Sequence, residues 1–220
     1  MGVSVGQAAP AFSAQDQNGN TVSLAQFAGQ YVILYFYPKD DTPGCTVEAC
    51  AFRDEHSTLE AEGAVVLGVS PDDAKSHTKF ISKYSLPFSL LADTDNAVAN
   101  AYGAWGEKSM YGRTYMGIIR STVLIGPDGV VKHAWPKVKP DGHSDEVLAA
   151  LTAIKAGQPL PTAGGEPSAP AAVKKAPAAK KASPAKKAAP KKAAPKKPAA
   201  KNAAAKKAPA KKKVAAKKKR

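Results

Sequence analysis

Tyr31-Val-Ile-Leu-Tyr-Phe-Tyr-Pro38-Lys-Asp-Asp-Thr42-Pro-Gly-Cys45-Thr-Val-Glu48-Ala-Cys50 is the stretch of this 220-residue chain whose reading decides the fold. Tyr31–Tyr37 is a near-continuous apolar run rich in β-branched and aromatic side chains, as expected of a strand buried on both faces. Pro38 ends the run and a polar turn follows. A helical pattern is then predicted from about Thr46 to Glu62, with Ala49, Phe52, His56 and Leu59 near one face and Gly63 closing it. A strand that feeds through a short turn into a helix is an α/β unit. Its carboxyl end is where such sheets place their sites.

The flanking sequence extends this unit in both directions. Phe12–Ala14 and Thr21–Leu24 flank the turn-rich Gln-Asn-Gly-Asn at 17–20, which predicts a hairpin. Ala64–Ser70 reads as another buried strand, and Pro71-Asp72-Asp73 opens a helix to about Tyr84. A short helix is predicted over Asp95–Tyr102. A second hairpin follows, Ser121–Ile125 with Val130–Trp135 around Gly-Pro-Asp-Gly, then a last helix over His143–Ala156 ended by Gly157. Strands alternating with helices, then a late hairpin and a covering helix, imply an α/β fold with a mixed central sheet between helices. That is the pattern of the thioredoxin-like architecture, and residues 1–157 are expected to form it.

The rest of the chain is a different kind of polymer. Residues 161–220 hold 22 Ala, 19 Lys and 9 Pro, no aromatic residue, and Val173 and Val214 as their only larger aliphatics. Residues 1–160 carry 12 Lys/Arg against 17 Asp/Glu, a formal −5, whereas 161–220 carry 20 Lys/Arg against Glu166 alone, a formal +19. The net charge of +14 therefore averages two unlike segments and excludes reading the chain as one basic globular protein. Residues 158–220 are expected to be a disordered Lys/Ala/Pro-rich tail, because they cannot bury enough apolar surface to offset the entropy of ordering.

Other classes are excluded by residue usage. Two cysteines are too few for a secreted disulfide scaffold, and His56, His77, His133 and His143 stand singly rather than at metal-ligand spacing. No apolar run approaches a spanning length of about 18–20 residues. The N-terminus has neither a basic segment nor an apolar one, so no secretory signal is read. A soluble cytoplasmic protein with no metal and no cofactor is expected.

The chemistry concentrates between Pro38 and Cys50. Cys45 falls at a helix N-terminus, where free N–H groups and the positive end of the dipole favour an anion. Thiols so placed ionise more readily, and the thiolate is the nucleophilic form. Gly44 permits close backbone approach, and the Thr42 hydroxyl lies three residues before the sulfur. A lone cysteine also has a plainer reading, an inert structural thiol; the strand–turn–helix context argues against it. Arg120, read by itself, is a surface ion-pair former.

The pattern Pro38-x-x-x-Thr42-x-x-Cys45 resembles the active site of a peroxiredoxin. The longer Tyr35-Phe-Tyr-Pro-Lys-Asp…Thr-Pro-Gly-Cys-Thr-x-Glu-Ala-Cys50 is similar to the bacterioferritin-comigratory or peroxiredoxin Q branch. Asp-Gln-Asn-Gly at 16–19, Phe52-Arg53-Asp54, Trp105–Ser109 and Gly117–Ile125 match as well, so the resemblance spans residues 3–156 and stops before the tail. It implies that Cys45 is the peroxidatic thiolate, attacking a hydroperoxide and becoming a sulfenic acid. It implies that Thr42 bonds sulfur and peroxide, that Pro38 shields the site, and that Arg120 holds the thiolate and steadies charge as the O–O bond breaks. Glu48 sits where the family often has a residue orienting that arginine. Arg53 and Arg113 compete weakly for its role. Trp105 and Tyr111 either line an entrance or pack in the core.

The same resemblance makes Cys50 the resolving cysteine, condensing with the sulfenic acid to an intramolecular disulfide recycled by thioredoxin or a similar dithiol. Helix geometry sets a condition on it. Residues five apart on an α-helix have Cα atoms about 8.6 Å apart, and a disulfide does not close beyond about 7 Å. The first helical turns must unwind in each cycle. The alternative is a core cysteine at position 50 with Cys45 acting alone. A monomer is expected.

The tail points to a second class of function. Its Lys/Ala/Pro grammar, with Ser183-Pro-Ala-Lys-Lys187, resembles in composition the C-terminal tail of linker histones. Without aromatic side chains to stack on bases, it would bind phosphates of DNA or another polyanion without reading sequence. A peroxidase held at a nucleoid or chromatin is one reading of the whole. A nucleic-acid-associated protein with an incidental α/β domain is the other, and a merely solubilising tail is a third.

Overall fold

The computed structural model describes residues 2–110 and 113–158. The expected disordered tail, apart from its first residue Gln158, lies outside the described residues, as does Tyr111. The decisive run forms β3 (Tyr31–Phe36) at the centre of a seven-stranded mixed sheet. In chain order the strands are β1 (Ser13–Asp16), β2 (Thr21–Ser23), β3, β4 (Ala64–Ser70), β5 (Ser89–Ala92), β8 (Ser121–Ile125) and β9 (Val131–Trp135). They lie in the order β2-β1-β5-β4-β3-β8-β9. β3 runs parallel to β4, pairing Tyr35 with Gly68, and antiparallel to β8, pairing Phe36 with Ser121. β6 (Trp105–Met110) and β7 (Arg113–Ile118) form a separate antiparallel ribbon. This is the thioredoxin-like α/β fold that the sequence implies.

Alternation along β3 divides the core in two, because successive strand side chains point to opposite faces. Ile33, Tyr35 and Tyr37 pack with Ala49 and Phe52 of α1 (Pro43–Asp54), Leu59 of α2 (His56–Ala61), Phe80 of α3 (Ala74–Tyr84) and Leu151 of α5 (His143–Lys155). Val32, Leu34 and Phe36 pack on the other face against Phe12, Tyr102, Ile118 and Val98 of α4 (Ala97–Ala101). A Cβ on Gly68 would stand 2.7 Å from the Tyr35 hydroxyl and 2.6 Å from Leu90, so glycine is what lets Tyr35 lie under the sheet.

The predicted single helix over 46–62 is two. α1 begins at Pro43, three residues earlier than expected, because proline at the first helical position loses no hydrogen bond and has its φ preset. Thr42 is the N-cap residue, and its carbonyl accepts the Thr46 N–H at 2.8 Å. The helix stops at Glu55 (φ −91°, ψ 0°), whose N–H turns to the carbonyls of Ala51 and Arg53, and α2 restarts at His56. β5 and the β6–β7 ribbon were not anticipated. Among the described residues, no helix is long and apolar enough to cross a membrane.

Candidate active site

α1 leaves the carboxyl end of β3 and carries Cys45 in its first turn, 1% exposed and packed into the core cluster beneath the sheet. Arg120, in the two-residue link from β7 to β8, reaches it from 75 positions away. Its Nη2 donates to Cys45 Sγ at 3.2 Å. Its Nη1 donates to Glu48 Oε2, and its carbonyl accepts the Val138 N–H at 3.0 Å, which fixes the backbone behind it. Cys45 and Glu48 are three apart and so share one face of α1. One guanidinium thus bridges a sulfur and a carboxylate.

The charges here are strongly placed. Glu48 is 1% exposed, and burial pushes its carboxyl up to about 7 against the pull of Arg120. Its second oxygen, Oε1, is buried without a partner. Burial alone would lower Arg120, but Glu48 and then Cys45 outweigh it and hold the guanidinium above its ordinary value. The Arg120 guanidinium, a cation that does not deprotonate, is aimed at the Cys45 sulfur in the first turn of α1.

The other expected site residues are gathered less completely. Thr42 lies partly buried at the helix entry, but its hydroxyl donates to the Lys39 carbonyl at 3.1 Å rather than to the sulfur. Pro38 is partly buried at the end of β3. Cys50 lies further along α1, partly buried, and both thiols are free within an unbroken helix. Arg53 does not reach Cys45; it pairs with Asp54 and donates to the Tyr84 carbonyl at 2.9 Å. Trp105 packs against the second core cluster. Among the described residues, no group of three or more His, Cys, Asp or Glu side chains could hold a metal ion.

Comparison with known proteins decides the family. The sequence profile of the AhpC/TSA family matches residues 5–134. The chain belongs to the AhpC/TSA family, and it is a peroxiredoxin. A relative from Coxiella burnetii in the Bcp group is 52% identical over 151 residues, covering 69% of this chain and all of the relative. Peroxiredoxin Bcp of Bacillus subtilis is 46% identical, covering 69% of this chain and 96% of that one. The solved bacterioferritin comigratory protein of Xanthomonas campestris, described by its alkyl peroxide reduction activity, superimposes with a TM-score of 0.65 at 41% identity, covering 69% and 99% of the two chains. The profile match ends at residue 134, and each of these relatives covers 69% of this peroxiredoxin.

Two anchors of the active-site loop escaped the sequence reading. The buried Asp40 carboxylate accepts from the Tyr37 hydroxyl at 2.7 Å and from His77 Nδ1 at 2.9 Å, with His77 wholly buried on α3. Burial opposes ionisation of Asp40, yet His77 and Tyr37 hold its carboxyl below the usual range. Next to it, Asp41 takes a left-handed backbone (φ 53°) and binds Lys83 Nζ at 2.7 Å and the Tyr84 hydroxyl at 2.6 Å. The peroxiredoxin therefore fastens the turn before Cys45 to α3 at two successive residues. These partners lie 37–43 positions apart, and no local pattern announces them.

Proposed function

We propose that this peroxiredoxin reduces hydrogen peroxide and organic hydroperoxides, alkyl peroxides among them, with Cys45 as the nucleophile. The observation that carries the reading is the Arg120 guanidinium donating at once to Cys45 Sγ and Glu48. Cys45 thiolate attacks the terminal peroxide oxygen; the S–O bond forms, the O–O bond breaks, and the leaving alkoxide takes up a proton. Arg120 steadies the negative charge as it passes from sulfur to oxygen. Glu48 orients Arg120, Pro38 limits water, and the lone pairs of Thr42, whose proton is committed to Lys39, face the incoming hydroperoxide. Cys50 then condenses with the sulfenic acid, and thioredoxin or a similar dithiol reduces the disulfide. Cys45→Ser is expected to abolish peroxide consumption, and retained turnover refutes the assignment. Cys50→Ser is expected to allow one oxidation of Cys45 and to block recycling by thioredoxin.

The chain divides, on this reading, into a catalytic domain at 1–157 and a basic tail at 158–220 that holds it near DNA or another polyanion. The formal +19 of residues 161–220 beside the −5 of the rest supports the division. Truncation after Gly157 is expected to spare peroxide turnover and weaken DNA binding. Affinity of the full chain is expected to fall steeply with salt, and a flat response refutes the polyanion role.

A further inference from the structure

One cation stands between two acids at the head of α1. Arg120 donates through Nη2 to Cys45 Sγ at 3.2 Å and through Nη1 to Glu48 Oε2. The two nitrogens belong to one planar, rigid group, so sulfur and carboxyl lie side by side along its edge. Cys45 and Glu48 are each 1% exposed, and Arg120 is partly buried. A thiolate and a carboxylate together would set two buried anions against a single positive charge. Like charges so close oppose each other's ionisation, and burial penalises the excess charge. A thiolate at Cys45 therefore goes with a protonated Glu48. The structure offers a place for that proton, because Oε2 is taken by the guanidinium whereas Oε1 is buried without a partner. An unpartnered oxygen costs less as the OH of a neutral acid than as half of an anion. Burial pushes this carboxyl up to about 7 against the pull of Arg120, so it holds and releases a proton in the neutral range.

We propose that Glu48 is the acid of peroxide reduction, giving its Oε1 proton to the alkoxide that leaves as Cys45 takes the terminal oxygen. The proposal deepens the assignment of Cys45 given above and rests on it. In the step, the S–O bond forms, the O–O bond breaks, and the bonding pair stays on the alkoxide oxygen, which the Glu48 proton converts to an alcohol. Sulfur loses the two electrons that the peroxide gains. The charged pair is guanidinium and thiolate before the step, guanidinium and carboxylate after it. The buried site is neutral at both ends, and negative charge only moves along the edge of Arg120. When a dithiol later reduces the disulfide, its two protons return Cys50 as a thiol and Glu48 as an acid, beside a Cys45 thiolate.

The other titratable groups around this site are committed or are poorer acids. From β3, the buried Tyr35 hydroxyl has no partner, but burial first and Glu48 after it push the phenol well above its ordinary value. In the turn before α1, Asp40 accepts from Tyr37 and His77. From α5, His143 is bonded through Nε2 to Thr122 Oγ1 at 2.8 Å and faces Glu146 through Nδ1 at 3.4 Å; burial holds the ring below its ordinary value, which favours its neutral form. Arg120 keeps its protons. Glu48 is the acid that remains.

Glu48→Gln keeps an oxygen for Arg120 and removes the acidic proton. With ethyl or tert-butyl hydroperoxide, whose alkoxides need a proton, it is expected to slow Cys45 oxidation on the order of 10²-fold. With peracetic acid, whose leaving group is the stable acetate anion, the slowing is expected to be at least about tenfold smaller. A misaligned Arg120 slows both kinds of peroxide alike. Equal slowing therefore overturns the proposal, and so does an undiminished alkyl rate. A second measurement leaves Glu48 in place. When Cys50→Ser protein is oxidised with one equivalent of peroxide near neutral pH, its infrared difference spectrum is expected to lose a carboxylic-acid C=O stretch and to gain carboxylate bands. The same change is expected to be missing from the Cys50→Ser, Glu48→Gln double variant. An unchanged carboxyl region overturns the proposal whether or not Glu48→Gln folds. Mass spectrometry separates a different failure: a Cys45 that takes up no oxygen from any peroxide brings down the underlying assignment, and the proposal with it.

Discussion

With Cys50 as the proposed resolving cysteine, disulfide closure across one helix ties a redox rate to helix stability, and Val47 is the place to measure it. It lies between the two cysteines on α1 and is 44% exposed, so its replacement disturbs little packing. Glycine and alanine differ by about 1 kcal/mol in a helix interior. Neither has a side chain that reaches a neighbour, so comparing Val47→Gly with Val47→Ala isolates the backbone. If unwinding is a rapid equilibrium before closure, 1 kcal/mol changes the open population about fivefold. Val47→Gly is thus expected to close its disulfide about fivefold faster than Val47→Ala. The assay mixes reduced protein with one equivalent of peroxide, quenches at intervals, and weighs the sulfenic and disulfide forms. Equal closure rates, or faster closure in Val47→Ala, would show that α1 need not unwind and refute the geometric argument.

Glu48→Gln tests the buried carboxyl. A group whose native pKa stands at about 7 against an ordinary 4.5 contributes stability that is full below the lower value and lost as pH rises through the upper one. The native protein is expected to lose about 3 kcal/mol from this source between pH 4.5 and 7, and Glu48→Gln to lose none of it, read by urea unfolding across that range. Arg120→Met is expected to lower the second-order rate of Cys45 oxidation on the order of 10²-fold, measured by competition for peroxide; an unchanged rate removes Arg120 from the chemistry. Asp40→Ala strands the Tyr37 hydroxyl and the His77 N–H in the core, at a cost of roughly 1–3 kcal/mol for each unpaired group, visible as a lower urea midpoint. Cys50→Ser carrying a sulfenic acid at Cys45 is expected to exchange the amides of α1 faster than its reduced form; identical protection would break the link between oxidation and opening.

The strand and helix around Cys45 were legible because both follow strong local rules, an apolar run ended by proline and a periodic pattern after it. The helix start was read three residues late because Pro43-Gly44 looks like turn chemistry until proline's place at a helix entry is recognised. The four-residue β5 and the β6–β7 ribbon went unread for a different reason. Ser89–Ala92 is too short to show a period, and Trp105-Gly-Glu-Lys-Ser-Met110 lacks apolar alternation because its strand joins a two-stranded ribbon rather than the main sheet. The meeting of Glu48, Cys45 and Arg120 followed from a family resemblance and from no local pattern: strand order in the sheet brings position 120 to position 45. The fastening of Asp40 and Asp41 to α3 belongs to the same class of fact. It depends on which helix faces which loop, and a single sequence carries no direct sign of that.

Cys45 belongs to the same buried cluster as Ile33, Tyr35, Ala49 and Phe52. Its oxidation, on the proposed assignment, is therefore also a small-to-large core substitution, written after folding and onto a finished interior. Forcing extra atoms into a close-packed core costs typically about 1–3 kcal/mol, the same scale as opening a turn or two of helix. Seen so, the peroxide oxygen does two things at once. It marks the sulfur chemically, and it crowds the space beneath α1, so that the reaction product itself loosens the element that must move next. On the proposed assignment, the volume of one oxygen atom would itself serve as the trigger for the second half of the cycle.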